Sequence, residues 1–142
     1  MLIDANLLLF ARDATSPRHE TASTWLEEVL NGTTRVGLPW MSLVAFVRIA
    51  THPRVYELPL SVSEAWDQVE EWLDAPASWI PEPTDAHRLV LGGLLGEHRV
   101  TGNLVSDAHL AALAIEHGVE LCYADSDFAR FDGLRWRTPL VR

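Results

Sequence analysis

Three aspartates, far apart in the sequence, occupy positions where a carboxylate is hard to explain by packing alone. Asp4 ends the apolar run that opens the chain, and Asp125 ends a second apolar run near its far end. Asp107 shares a helical face with apolar residues, because side chains three and four positions apart lie on one side of a helix. A carboxylate on an apolar face is costly unless it is paired or binds a metal ion. These three acids are therefore the candidate catalytic residues and metal ligands.

Each aspartate also has an ordinary structural explanation. An aspartate in the first turn of a helix, where we expect Asp107, complements the helix dipole. One that follows a strand, as Asp4 and Asp125 do, is common in turns. The combination is stronger than any single residue, because the carboxyl ends of parallel strands are where such sheets bind ligands. We expect all three acids at one edge of a sheet.

Three carboxylates that converge need a cation. At ~4 Å and an effective dielectric constant of ~20, each pair of like charges repels by about 4 kcal/mol. Either a cation binds or one acid is protonated. Oxygen ligands without histidine or cysteine favour Mg²⁺, for which Mn²⁺ can substitute. Such an ion makes water more acidic and stabilises a phosphoryl transition state, so the acids predict hydrolysis of a phosphodiester.

The elements that must position these acids alternate between short apolar strands and amphipathic helices. The predicted strands are residues 1–4, 35–38, 78–80, 119–124 and 134–136. The predicted helices cover residues 7–10, 17–30, 41–50, 61–75, 84–98 and 103–115, with Ser16 capping the second and Asn103 or Ser106 the last. This alternation predicts an α/β fold, a mainly parallel central sheet flanked by helices. No linker or repeat divides the chain, so we expect a single domain over residues 1–142.

Composition excludes several classes of protein. The net charge is −9 and every basic residue except histidine is arginine, so a lysine-dependent phosphate loop is excluded and nonspecific coating of nucleic acid is disfavoured. The single cysteine, Cys122, cannot form an intrachain disulfide, and we expect it to be buried. The apolar start is interrupted by charged residues and resembles neither a signal peptide nor a membrane helix. We therefore expect a cytoplasmic protein with no membrane partner.

Four segments of the chain resemble, in order, the motifs of PIN-domain ribonucleases, and more closely those of the VapC toxins of bacterial toxin–antitoxin pairs. They read MLIDAN at residues 1–6, FVRIATHPRVY at 46–56, SDAHLAALA at 106–114 and YADSDF at 123–128, with Phe131 beyond. The resemblance covers nearly the whole chain. It implies a three-layered PIN domain in which Asp4, Asp107 and Asp125 are the metal ligands.

The resemblance also implies an activity and partners. A VapC toxin is an Mg²⁺-dependent endoribonuclease that hydrolyses RNA with a metal-activated water. A cognate antitoxin protein blocks it, with an antitoxin arginine entering the acidic site, and homodimers are expected.

For several other polar residues, a role in such a site and a structural role are both open. Asn6 either orients Asp4 or a metal-bound water, or caps a helix; Asp127 either joins the site or caps the following turn. The arginines that could contact RNA phosphates are Arg12, Arg48, Arg54 and Arg99, although a surface arginine is usually a solvated charge.

The chain departs from the family at one position. VapC toxins usually carry a further glutamate on the central helix, and here Ala45 takes its place, with no acid between Glu28 and Glu57. One alternative is therefore a catalytically impaired PIN-like module that binds RNA or the antitoxin. A second is a haloacid-dehalogenase-like phosphatase, suggested by Asp125-Ser126-Asp127 after an apolar strand. The late position of that motif and the lack of lysine argue against the phosphatase.

Overall fold

A parallel sheet forms the centre of the computed structural model, which describes residues 1–124 and 131–140. Its strands are β1 (Leu2–Ile3), β2 (Val36–Gly37), β3 (Ser78–Trp79), β4 (Leu121–Cys122) and β5 (Trp136–Arg137). Their order across the sheet is β3-β2-β1-β4-β5, and every neighbouring pair is parallel. The strand that ends at Asp4 is therefore central, with β4 hydrogen-bonded beside it.

Helices connect these strands and cover both faces of the sheet. They are α1 (Ala5–Arg12), α2 (His19–Leu30), α3 (Trp40–Ala50), α4 (Val62–Asp74), α5 (His87–His98) and α6 (Asn103–Glu116). This arrangement confirms the predicted α/β class with a mainly parallel sheet flanked by helices. Within the described ranges, none of these helices is long and apolar enough to cross a membrane.

Two hydrophobic cores lie on opposite faces of the sheet, because successive residues of a strand point to opposite sides. Ile3 and Cys122 face the core shared with α1 to α4, whereas Leu2 and Leu121 face the core shared with α5 and α6. All four are fully buried, which confirms the prediction for Cys122. The layers are thus helices, sheet and helices, with β1 and β4 packed from both sides.

Local sequence explains the most regular of these elements. At the start of α4 the Ser61 hydroxyl accepts a hydrogen bond from the Glu64 backbone, and the Glu64 carboxylate accepts one from the Ser61 backbone. A serine followed three positions later by a glutamate is the spacing typical of this reciprocal capping box. In β2, a Cβ at Gly37 would collide with a methyl group of the buried Leu2 on the neighbouring strand, so any side chain there would force Leu2 to shift.

Two predicted helix caps are wrong, and one of them changes the site. The second helix begins at His19 with Arg18 at its cap, because the Ser16 hydroxyl accepts the Arg18 N–H within a turn that precedes the helix. The last helix is preceded by Gly102 at a φ of 61°, so neither predicted residue caps it. Asp107 consequently lies in the second turn of α6.

Candidate functional site

A cavity of about 420 Å³ lies beside the carboxyl end of β1, between α1, α3 and α6. Its polar lining residues are Asp4, Asn6, Ser42, Arg48, Asn103, Ser106 and Asp107. Two of the three aspartates singled out from the sequence therefore line one cavity, although about a hundred residues of chain separate them.

Asp4 is held at this edge of the sheet by its backbone. Its N–H donates a hydrogen bond of 3.0 Å to the Cys122 carbonyl of β4, and its own carbonyl accepts one from Leu7 in the first turn of α1. Asp4 occupies the cap position of α1, yet its side chain makes no capping hydrogen bond to the helix. Helix capping therefore does not account for the carboxylate.

Asp107 faces the cavity from α6. Its side chain is half-buried and shares a face of the helix with the buried Leu110, Ala111 and Ala114. A helix dipole stabilises an acid mainly in the first turn of the helix. Because α6 begins at Asn103, Asp107 lies in the second turn, and stabilisation by the helix dipole does not explain this carboxylate.

Asp125 and Asp127 lie outside the described residues. The described chain leads up to Asp125: β4 is in register with β1, and the buried Ala124 is the last residue of the described segment. The Arg18 guanidinium donates a hydrogen bond of 2.9 Å to the Ala124 carbonyl and lies over the Phe10 ring. The sequence does not indicate this contact, because its acceptor is a backbone atom, which no residue pattern reveals.

The predicted RNA-contacting arginines are dispersed. Arg48 is exposed and lines the cavity with Asp4. Arg12 lines a different cavity beside Asp13 and Tyr56. Arg54 is exposed on the turn that follows α3, away from both.

Ala45 is half-buried and lines the cavity from α3, at the place where a family glutamate is expected. No described residue of α3 supplies an acid, so Asp4 and Asp107 are the carboxylates of the cavity within residues 1–124 and 131–140.

Ser42 lies one turn before Ala45 and also lines the cavity. Its side chain is 1% exposed, and its hydroxyl oxygen makes no hydrogen bond to any described residue. A buried hydroxyl without a partner costs about 1–3 kcal/mol. Carboxylates, a hydroxyl and amide oxygens are the ligands that a hard divalent cation prefers. These donors therefore fit an ion of the Mg²⁺ type.

A second group of ionisable side chains joins α5 to α6, away from the cavity. Glu116 accepts hydrogen bonds from Thr84 and contacts His87 Nδ1 at 2.5 Å, while His87 Nε2 contacts His109 Nδ1 at 3.1 Å. Burial raises the pKa of Glu116, but the hydrogen bonds from Thr84 and His87 outweigh it and hold that pKa below its usual value. Burial and the neighbouring His87 lower the pKa of His109.

A third group, Glu97, His98 and Asp132, places one possible ligand atom from each residue within 4.8 Å of the others. The sequence does not indicate this group, because Asp132 is far from the other two residues along the chain and joins them only through the fold.

Comparison with known proteins agrees with this architecture. The PIN domain family model matches residues 1–134. Ribonuclease VapC37 of Mycobacterium tuberculosis is 44% identical over 138 residues, covering 97% of this chain and 96% of the relative. Ribonuclease VapC33 of the same species is 39% identical over 137 residues and covers 96% of each chain.

Solved structures share the fold at low sequence identity. VapBC2 from Rickettsia felis, crystallised with a DNA fragment from its promoter, superimposes with a TM-score of 0.70 at 15% identity over 96% of each chain. Mycobacterium tuberculosis VapC20, described as a toxin that cleaves the sarcin–ricin loop, gives a TM-score of 0.67 at 17% identity, covering 94% of this chain and 98% of VapC20.

The sequence relatives are named as ribonucleases, so the comparisons favour neither the phosphatase nor the catalytically impaired module. The family model spans most of the chain, and identities of up to 44% extend over nearly its whole length. The chain therefore belongs to the PIN-domain family and, within it, to the VapC ribonucleases.

Proposed function

We propose that this ribonuclease is a divalent-metal-dependent endoribonuclease, the toxin of a toxin–antitoxin pair, and that the cavity of Asp4 and Asp107 is its active site. The observation that carries the proposal is the meeting of these two acids in one cavity at the carboxyl edge of the sheet. The same proposal includes a single domain over residues 1–142 and action on RNA in the cytoplasm.

Asp4, Asp107 and Asp125 would hold the cation, Mg²⁺ with Mn²⁺ as a substitute. When bound, the ion makes a water more acidic and stabilises the charge that develops on the phosphoryl oxygens. The carboxylates have a second effect: in an acidic cavity they hold the cation, and without it they repel a phosphodiester. Cleavage should therefore depend on the metal for substrate binding as well as for chemistry.

Two polar residues at the edge of the cavity would position the RNA. Arg48 is exposed and lies on the same cavity wall as Ala45, where its guanidinium can donate to a phosphate. Asn6 is exposed on the first turn of α1, two residues after Asp4, where its amide can orient the Asp4 carboxylate or a water. We assign no RNA contact to Arg12 or Arg54, because neither lines the cavity.

An antitoxin protein is the partner that the exposed apolar surface suits. Trp40 and Trp66 stack with ring centroids 6.3 Å apart, and with Val44 and Val47 they line an apolar groove between α3 and α4. Arg48 belongs to both this groove and the catalytic cavity. An amphipathic antitoxin helix in the groove would therefore extend to the mouth of the active site. A homodimer is also part of the proposal.

The proposal is tested by RNA cleavage with purified protein in Mg²⁺, in Mn²⁺ and in EDTA. Asp4→Asn and Asp107→Asn should each lower the cleavage rate by more than about a hundredfold, since even residues that only support metal ligands cost 10–100-fold. Asp67→Asn is the matched control, because Asp67 is exposed on α4 and outside the cavity. Cleavage that survives both the substitutions and the chelator would refute the mechanism.

A further inference from the structure

We propose that Ser42 is a positioning residue of the metal site, whose hydroxyl accepts a hydrogen bond from a hydration water of the cation. It would thereby provide part of the contact that a glutamate at position 45, implied by the resemblance to the VapC toxins, would make. This inference rests on the proposed function, because it requires that the cavity of Asp4 and Asp107 binds a divalent ion.

The state of the Ser42 side chain is the first reason. It is 1% exposed and its hydroxyl has no hydrogen-bond partner among the described residues. A serine or threonine in a helix commonly donates to a carbonyl of the preceding turn. Thr51, at the end of the same helix, does so: its hydroxyl donates a hydrogen bond of 2.8 Å to the Val47 carbonyl. Ser42 makes no such bond, so its hydroxyl is left for another partner.

Its location is the second reason. Residues 42 and 45 are three apart on α3 and line the same cavity as Asp4 and Asp107. A serine hydroxyl lies two bonds closer to the backbone than a glutamate carboxylate would. One water can bridge such a gap with hydrogen bonds nearly as favourable as direct ones. Mg²⁺ keeps several waters in protein sites, so a partner for Ser42 arrives with the ion.

This role predicts changes of opposite sign in two measurements. In Ser42→Ala the unpartnered hydroxyl is removed, so the protein in EDTA should unfold at a temperature about 3–6 °C higher. The same variant loses one hydrogen bond to the hydrated ion, so its dissociation constant for Mg²⁺ should rise about three- to tenfold. If Ser42 served the fold alone, Ser42→Ala would lower the stability of the protein and leave its metal affinity unchanged.

The experiment measures Mg²⁺ and Mn²⁺ affinity by calorimetry, and thermal unfolding in EDTA, for the full chain and four variants. Ser63→Ala makes the same chemical change at an exposed position of α4 and should leave both quantities unchanged. The double variant Ser42→Ala/Ala45→Glu should recover the affinity lost in Ser42→Ala, because the carboxylate reaches the ion directly. Asp107→Asn reports on the proposed metal site itself.

The outcomes separate the two proposals. Weaker binding with higher stability in Ser42→Ala, together with recovery in the double variant, supports the role of Ser42. Unchanged affinity, or lower stability without metal, overturns that role, while loss of binding in Asp107→Asn leaves the proposed function standing. A wild-type protein whose metal binding is absent or insensitive to Asp107→Asn overturns both.

Discussion

Replacing Ala45 with glutamate should strengthen metal binding and weaken the metal-free protein. Ala45 is half-buried in the wall of the cavity, so a longer side chain can extend into the space that Asp4 and Asp107 also line. The variant adds a carboxylate at the position where the resemblance to the VapC toxins implies one. The added carboxylate acts through electrostatic interactions, and the strength of these interactions depends on how far the cavity is exposed to solvent.

Exposed side chains such as Asn6 and Ser106 border the cavity, so the dielectric constant of water gives a lower bound on the interaction energy between charges there. At that dielectric constant, two unit charges ~4 Å apart interact by about 1 kcal/mol. A carboxylate and a divalent cation at the same separation interact by about 2 kcal/mol, because the cation carries twice the charge. The dissociation constant for Mg²⁺ should therefore fall by at least about 30-fold. Without metal, repulsion from Asp4 and Asp107 should destabilise the variant by about 2 kcal/mol.

Calorimetric titration with Mg²⁺ measures the first effect, and thermal unfolding with and without EDTA measures the second. Val44→Glu is the matched control: it adds the same charge to the neighbouring position of α3, but Val44 is 59% exposed and does not line the cavity. If Val44→Glu tightens metal binding as much as Ala45→Glu does, the added glutamate acts only by changing the net charge of the protein. That result would refute the placement of the ion in this cavity.

Two further predictions concern the fold that holds the cavity. Phe46→Ala should lower the free energy of unfolding by about 3–5 kcal/mol in a denaturant titration, because Phe46 is fully buried and packs edge-on against Trp72 with centroids 4.8 Å apart. Thermal stability should also fall as pH drops below about 6.5, because the lowered pKa of His109 means that the folded state binds a proton less readily than the unfolded state. His109→Gln should flatten that slope, and an unchanged slope would show that another group controls it.

Much of the fold was predictable because burial imposes a periodic pattern on the sequence. The continuous apolar residues of β1 and β4 and the amphipathic stripe of α4 indicated a parallel sheet covered by helices, and that class is confirmed. Helix caps were predicted less well. The cap at Gly102 depends on a backbone conformation that no side-chain pattern indicates, and with it Asp107 lies in the second turn of α6.

The candidate site divides in a similar way. Asp4 and Asp107 were identified because a carboxylate beside apolar residues is conspicuous in any sequence. Ser42 was not, because a serine in an apolar helix signals nothing until its burial and its lack of a partner are known. The contact from Arg18 to Ala124 was missed for the same reason: it exists only once two distant segments have met.

If acids distant in sequence share one ion, an anomalous difference map from crystals soaked in Mn²⁺ will reveal the ion between them. We expect a peak about 2.0–2.6 Å from carboxylate oxygens of both Asp4 and Asp107, in the cavity that Ser42 lines. A peak only at Glu97, His98 and Asp132, or carboxylates of Asp4 and Asp107 too far apart to share an ion, would contradict it.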